Sequence, residues 1–166
     1  MMQEATVPKA THTVERTAVV PAPPQRVFDL VSDFHQWRRW SPWEDLDPAL
    51  RRTYSGADTG TGAVYEWSGN RKAGRGRMEI VEATAPSHVA IALDFVKPFR
   101  SSNTTEFTLT PEGDATRVRW SMTGPRPLLM RLFGFLFDME KLVGKDFEKG
   151  LSQLRTAATS SSTGPA

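Results

Sequence analysis

Residues 88–122 read HVAIALDFVKPFRSSNTTEFTLTPEGDATRVRWSM, and the period of this stretch decides the fold. Val89, Ile91, Leu93 and Phe95 alternate with Ala90, Ala92 and Asp94. Lys97-Pro98 breaks the run, and Thr105, Phe107 and Leu109 then alternate with Glu106 and Thr108. Pro111-Glu112-Gly113-Asp114 is a hairpin turn. Beyond it Val118, Trp120 and Met122 alternate with Arg117, Arg119 and Ser121. Period two with one apolar and one polar face marks consecutive antiparallel strands whose apolar face covers a core.

The same period reaches back to Arg51. Tyr65 and Trp67 share one face of a strand at Ala63–Ser68, Asn70 to Gly74 is a turn, and Met78 and Ile80 alternate with Arg77, Glu79 and Val81. Ala85-Pro86-Ser87 separates that strand from the next. His12 to Val20, rich in Val and Thr, is a further strand. Between the two strand regions the period changes. Val27, Leu30, Val31, Phe34 and Trp37 recur at three and four, so they form an apolar helical stripe that Ser32-Asp33 divides into two short helices. Pro24 suits a first helical position, where its missing N–H costs nothing. From Leu128 to Ala157 helical spacing returns through Leu132, Phe135, Met139, Val143, Phe147, Leu151 and Leu154. The expected order is strand, two short helices, six antiparallel strands and one long helix. A one-sided sheet and an amphipathic helix cover each other, and a strongly twisted sheet leaves space between them.

Composition bounds the function. The 166 residues make one domain, expected from His12 to Arg155 with polar tails at 1–11 and 156–166. There is no Cys, so thiolate catalysis, disulfides and Cys-ligated zinc are excluded. Lys+Arg is 21 against Asp+Glu 19, a net charge of +2 that makes no case for nucleic acid. The longest apolar clusters, Val89–Leu93 and Phe133–Phe137, fall far short of the roughly 18 residues of a membrane span. With no apolar leader in residues 1–11, the cytoplasm is the expected compartment.

Five segments carry a resemblance. Val19-Val20-Pro21-Ala22-Pro23-Pro24-Gln25-Arg26-Val27-Phe28 leads from a strand into a helix. Trp37-Arg38-Arg39-Trp40-Ser41-Pro42-Trp43 follows, then Tyr65-Glu66-Trp67-Ser68-Gly69-Asn70 with Gly74-Arg75-Gly76. Thr116-Arg117-Val118-Arg119-Trp120 and Phe147-Glu148-Lys149-Gly150-Leu151-Ser152-Gln153-Leu154 complete the set. Together they resemble the START-like (SRPBCC) superfamily and, within it, the polyketide cyclase/dehydrase branch. The resemblance implies an α+β helix-grip fold: a curved antiparallel sheet of about seven strands around a long C-terminal helix, with an internal pocket. Members of that superfamily bind lipids, sterols, polyketides or hormones, and some catalyse cyclisation or dehydration.

The expected function is therefore binding of an apolar or aromatic small molecule between sheet and helix. The expected lining is Trp40, Trp43, Tyr65, Trp67, Met78, Ile80, Leu93, Phe95, Phe107, Trp120, Met139, Val143 and Phe147. Alternating apolar residues pack a core by default, so the pocket reading of this set rests on the resemblance. Tyr65 and Trp67 supply its polar tips, whose O–H and N–H need partners when buried. A cyclase or dehydratase is the alternative, with Tyr65, Glu82 or Glu106 as its titrating group. Glu82 continues the alternation of Met78 and Ile80 and so points inward; Glu106 lies opposite Phe107 and faces solvent unless a bulge reverses the register. Ser41-Pro42-Trp43-Glu44 matches a capping box, which gives Glu44 a structural role. His12, His35 and His88 lack any metal spacing, and no cofactor or metal is expected. A third reading, an interaction or membrane-lipid-handling protein, rests on residues 128–137, apolar all round and a candidate homodimer contact.

Overall fold

The computed structural model describes residues 11–97, 100–125 and 139–160. The chain runs β1 (Thr11–Val20), α1 (Pro24–Val31), a 3₁₀ turn (Phe34–Arg39), β2 (Arg51–Gly56), β3 (Ala63–Ser68), β4 (Arg75–Thr84), β5 (His88–Lys97), β6 (Ser101–Glu112), β7 (Ala115–Pro125) and α2 (Met139–Thr159). The strands form one antiparallel sheet in the order β1-β7-β6-β5-β4-β3-β2. Thus β2 to β7 meander, and β1 closes the far edge against β7, with Arg16 opposite Trp120. This is a helix-grip fold, with α1 and α2 on the apolar face.

Local chemistry sets the boundaries. Pro24 opens α1 as its composition suggests. Asp33, not Ser32, caps the 3₁₀ turn, its carboxylate accepting the His35 N–H at 2.9 Å. Gly113, at φ +61°, makes the two-residue turn between β6 and β7. Ser41 to Glu44 is a turn and not a capped helix: Ser41 Oγ accepts only a long 3.4 Å bond from the Trp43 N–H, and Glu44 turns elsewhere.

One register differs from expectation. A bulge between Ile80 and Glu82 brings Glu82 opposite Ala90, where simple alternation would have left it beside Ile80 on the inner face. Glu82 therefore lies exposed on the outer face. Glu106 lies there too, because β5 and β6 pair without a break from His88 to Phe95.

At the other end, α2 runs past the expected boundary. Ala157 and Ala158 are buried, and Arg26 of α1 donates to the carbonyls of Ala158 and Ser160, the latter at 3.1 Å. The small side chains of the Thr-Ala-Ala run, which look like tail composition, are what lets the helix end approach α1. Residues 128–137, read as a helix start and dimer contact, lie outside the described residues.

Candidate functional site

The inner face of the sheet and the buried face of α2 enclose a layer of rings. Phe107 on β6 and Trp120 on β7 are cross-strand partners, with ring centroids 5.0 Å apart. Phe147 of α2 lies on Trp120, nearly parallel at 4.1 Å and 4°. Trp40 meets Phe107 and Trp120 edge-on at 5.8 and 5.5 Å, and Trp43 meets Trp120 and Phe147 at 5.6 and 6.1 Å. Trp40, Phe107, Trp120 and Phe147 are each no more than 1 % exposed. Where the described residues line it, this layer is filled by their own rings, since large aromatics stack in offset or edge-on arrangements that leave little void.

A second aromatic group occupies the β2–β3 end. Tyr65 lies 5.3 Å from Tyr54, 5.8 Å from Phe34 and 6.1 Å from Trp67. Trp67 covers Gly76, its cross-strand partner, so closely that any Cβ there would fall 2.3 Å from the indole. Phe95 meets Trp67 edge-on at 5.9 Å. Met78, Ile80 and Leu93 join the two groups as buried residues of β4 and β5. Val143 packs partly buried against the core, and Met139 opens α2.

The polar tips are engaged. Tyr65 donates its O–H to Glu44 Oε1 at 3.2 Å, and Trp67 donates to the Ala73 carbonyl at 3.0 Å. The other Glu44 oxygen accepts from Arg52 Nε at 2.7 Å. Burial, and then the Glu44 charge, push the Tyr65 hydroxyl far above the usual tyrosine range. Tyr54 is raised for the same reasons in the same order. Burial works against the Arg52 charge, but the Glu44 hydrogen bond and field outweigh it. In this node Tyr65 is a fixed donor and Glu44 forms an ion pair with Arg52, an arrangement that holds the three side chains in position.

Two tryptophans tie the turn after α1 into the molecule. Trp40 donates to the Leu30 carbonyl at 3.0 Å, and Trp43 reaches α2 with a 3.1 Å bond to Asp146 Oδ2. Trp120 differs: its Nε1 is buried and has no partner among the described residues. Beside it on β1, Arg16 occupies the inward register of Val14, Ala18 and Val20; its guanidinium lies under Gly144 and pairs with Glu148 at 3.4 Å.

The remaining candidates sit outside this layer. On the outer face His88 spans Glu82 at 3.3 Å and Glu106 at 3.4 Å. His35 stacks on Tyr54 at 4.3 Å, with Nδ1 2.8 Å from Asp33. A shallow cleft of about 110 Å³ beside it is lined by Phe34, His35, Tyr54 and Asp58. Another of about 170 Å³ lies over α1, between Arg26, Asp29 and Arg39. Among the described residues no three His, Asp or Glu side chains converge as a metal site, and no helix is long and apolar enough to cross a membrane.

Sequence reasoning did not find the partnership of Glu44 with Arg52 and Tyr65, nor that of Trp43 with Asp146. Nothing in local spacing links positions 44, 52 and 65. Arg16 did leave a signal, a charge standing in an apolar register.

A model of the polyketide cyclase / dehydrase and lipid transport family matches residues 11–159. No curated protein matches the chain in sequence. Among solved structures, TTHA0849 from Thermus thermophilus is similar at 19% identity and TM-score 0.65, covering 92% of this chain and 100% of that one. DynU16, a protein of the dynemicin biosynthetic locus, is similar at 20% identity and TM-score 0.60, covering 89% of this chain and 48% of that one. The Aha1 dimer from Colwellia psychrerythraea is similar at 13% identity and TM-score 0.62, covering 89% and 96%. At these identities the likeness is one of fold.

Proposed function

Because the chain belongs to the polyketide cyclase / dehydrase and lipid transport family, we propose that it binds an apolar, ring-bearing small molecule between the sheet and α2. The observation that carries this reading is the aromatic layer itself. Trp43, Phe107, Trp120 and Phe147 bring rings from separate elements into one layer between sheet and helix. A flat ligand gains there about 25 cal/mol per Å² of apolar surface removed from water, and few polar contacts are needed to orient it. Proton-transfer catalysis finds less support. Tyr65 is held protonated by burial and by Glu44, and Glu82 and Glu106 lie exposed on the opposite face of the sheet.

Native mass spectrometry of the purified protein, set beside its denatured mass, tests the proposal. A reproducible added mass that leaves on denaturation is the expected result, and its identity names the ligand class. A protein that carries no added mass, and that takes up neither fluorene nor 9-fluorenone in a fluorescence titration, would remove the binding reading.

A further inference from the structure

Resting on that binding reading, we propose that Trp120 is its specificity-determining residue: the indole N–H reads a neutral oxygen, a carbonyl or ether, on a planar aromatic ligand. The chain has five tryptophans. Four spend their N–H inside the protein: Trp37 on the Val31 carbonyl at 3.1 Å, Trp40 on Leu30, Trp43 on Asp146 and Trp67 on Ala73. Among the described residues Trp120 alone of the five is buried without an acceptor. It is also almost wholly enclosed, being 1 % exposed at the centre of the ring layer. A buried donor left unpaired bears its full desolvation penalty, so such groups are rare and call for a partner.

The surroundings say what kind of partner. Water holds its place in a protein interior with two to four polar contacts. The rings on Trp120 are Trp40, Trp43, Phe107 and Phe147, and the two tryptophans among them have their N–H groups committed elsewhere. An oxygen carried on an apolar body suits this setting better than a free water, because the body takes the ring contacts and the oxygen needs only one donor. The charge of the partner follows from Arg16, which faces Trp120 across β1 and β7. Its guanidinium is already paired with Glu148 and donates to the Glu15 carbonyl at 2.7 Å. An anion here would be buried without a counter-charge of its own, so the acceptor is neutral. The shape follows from Phe147, which lies flat against Trp120 at 4.1 Å. Direction follows from the indole. Its Cζ3 edge abuts Gly150 of α2, and Nε1 lies on the opposite edge, so the ligand oxygen sits in the indole plane on the side away from Gly150.

Fluorene and 9-fluorenone differ by one carbonyl on the same flat skeleton and serve as probes. Protein labelled with ¹⁵N at its tryptophan indoles is titrated with each, and the Trp120 resonance is assigned through its contacts to the Phe107 and Phe147 rings. The proposal expects fluorenone to bind about 3- to 10-fold more tightly than fluorene, the worth of one net hydrogen bond. It also expects fluorenone to move the Trp120 N–H downfield more than the other four. In Trp120→Phe, which keeps a ring and loses the donor, the preference disappears; if that variant does not fold, the wild-type resonance decides. Equal affinities, or a Trp120 resonance that fluorenone leaves in place, would overturn the proposal while leaving the binding reading standing. A long-lived water contact to the Trp120 N–H that persists with fluorenone bound would overturn it too. If neither probe binds, the proposal fails, and if native mass spectrometry also finds no added mass, the binding reading fails with it.

Discussion

Gly150 shows at a single residue how tightly the helix grips the sheet. Glycine inside a helix is normally a loss of about 1 kcal/mol against alanine, so Gly150→Ala should stabilise on propensity alone. Here a Cβ would stand 2.7 Å from Trp120 Cζ3 and 2.9 Å from Pro42 Cδ. Neither neighbour can yield cheaply, since one is a ring pinned in a stack and the other a proline. Overpacking of this kind costs about 1–3 kcal/mol, so Gly150→Ala is expected to lower stability in urea unfolding despite its better propensity. The two tyrosines give a second prediction. Both hydroxyls are raised in the native protein, by burial first and by Glu44 second, so the folded state holds their protons more tightly than the unfolded chain does. The resulting stability is fully present below the ordinary tyrosine pKa near 10 and is lost as pH climbs through the native values. Absorbance at 295 nm should show no half-ionised tyrosine at pH 10 in the native protein, while the protein in guanidinium titrates there. Tyr65→Phe should flatten the alkaline loss of stability. That Tyr65 belongs on the inner face was legible from its alternation with Glu66. That its hydroxyl was already taken was not, because Glu44 arrives from a turn 21 residues earlier.

Among the elements, the six alternating strands and the helical stripe of α1 were legible because burial on one face imposes a period. The β4 bulge was not legible. Nothing in Met78-Glu79-Ile80-Val81-Glu82 distinguishes a continuous alternation from one with an extra residue, and the pairing with β5 alone decides it. The C-terminal end of α2 was legible only in part, since helical spacing runs to Ala157 while composition suggests a tail from Thr156. Thr156-Ala157-Ala158-Thr159 has the look of a tail, yet both alanines are buried and Arg26 binds the last carbonyls. A cation at a helix C-terminus satisfies orphan acceptors and complements the helix dipole. Arg26→Ala is therefore expected to cost about 1 kcal/mol. Its signature should be local: faster amide hydrogen exchange across residues 156–160, with β6 and β7 unchanged. Uniformly faster exchange across the sheet would mean that this end of α2 is part of the cooperative core and not a separately capped terminus.

For the whole molecule, the packed ring layer makes a kinetic claim. Trp40, Phe107, Trp120 and Phe147 are already closed against one another, so a ligand entering there must wait for sheet and helix to part. A hydrogen bond ties α2 to the Trp43 turn that packs on the ring layer, from Trp43 to Asp146 Oδ2 at 3.1 Å. On the proposed reading opening precedes binding, and the affinity is set by the fraction of molecules that are open. Stopped-flow quenching of tryptophan fluorescence by 9-fluorenone should give a rate that levels off as probe concentration rises, the plateau being the opening rate. Asp146→Ala removes the tie without entering the ring layer. A neutral hydrogen bond is worth about 0.5–1.5 kcal/mol and one to a charged group somewhat more, so the plateau should rise roughly 2- to 10-fold in that variant. The apparent affinity should rise with it, since a larger share of molecules is competent to bind. A rate that grows linearly with concentration into the roughly 10⁵–10⁷ M⁻¹s⁻¹ range usual for preformed sites, unchanged by Asp146→Ala, would show instead that the ligand enters by a route that leaves the Trp43–Asp146 contact closed.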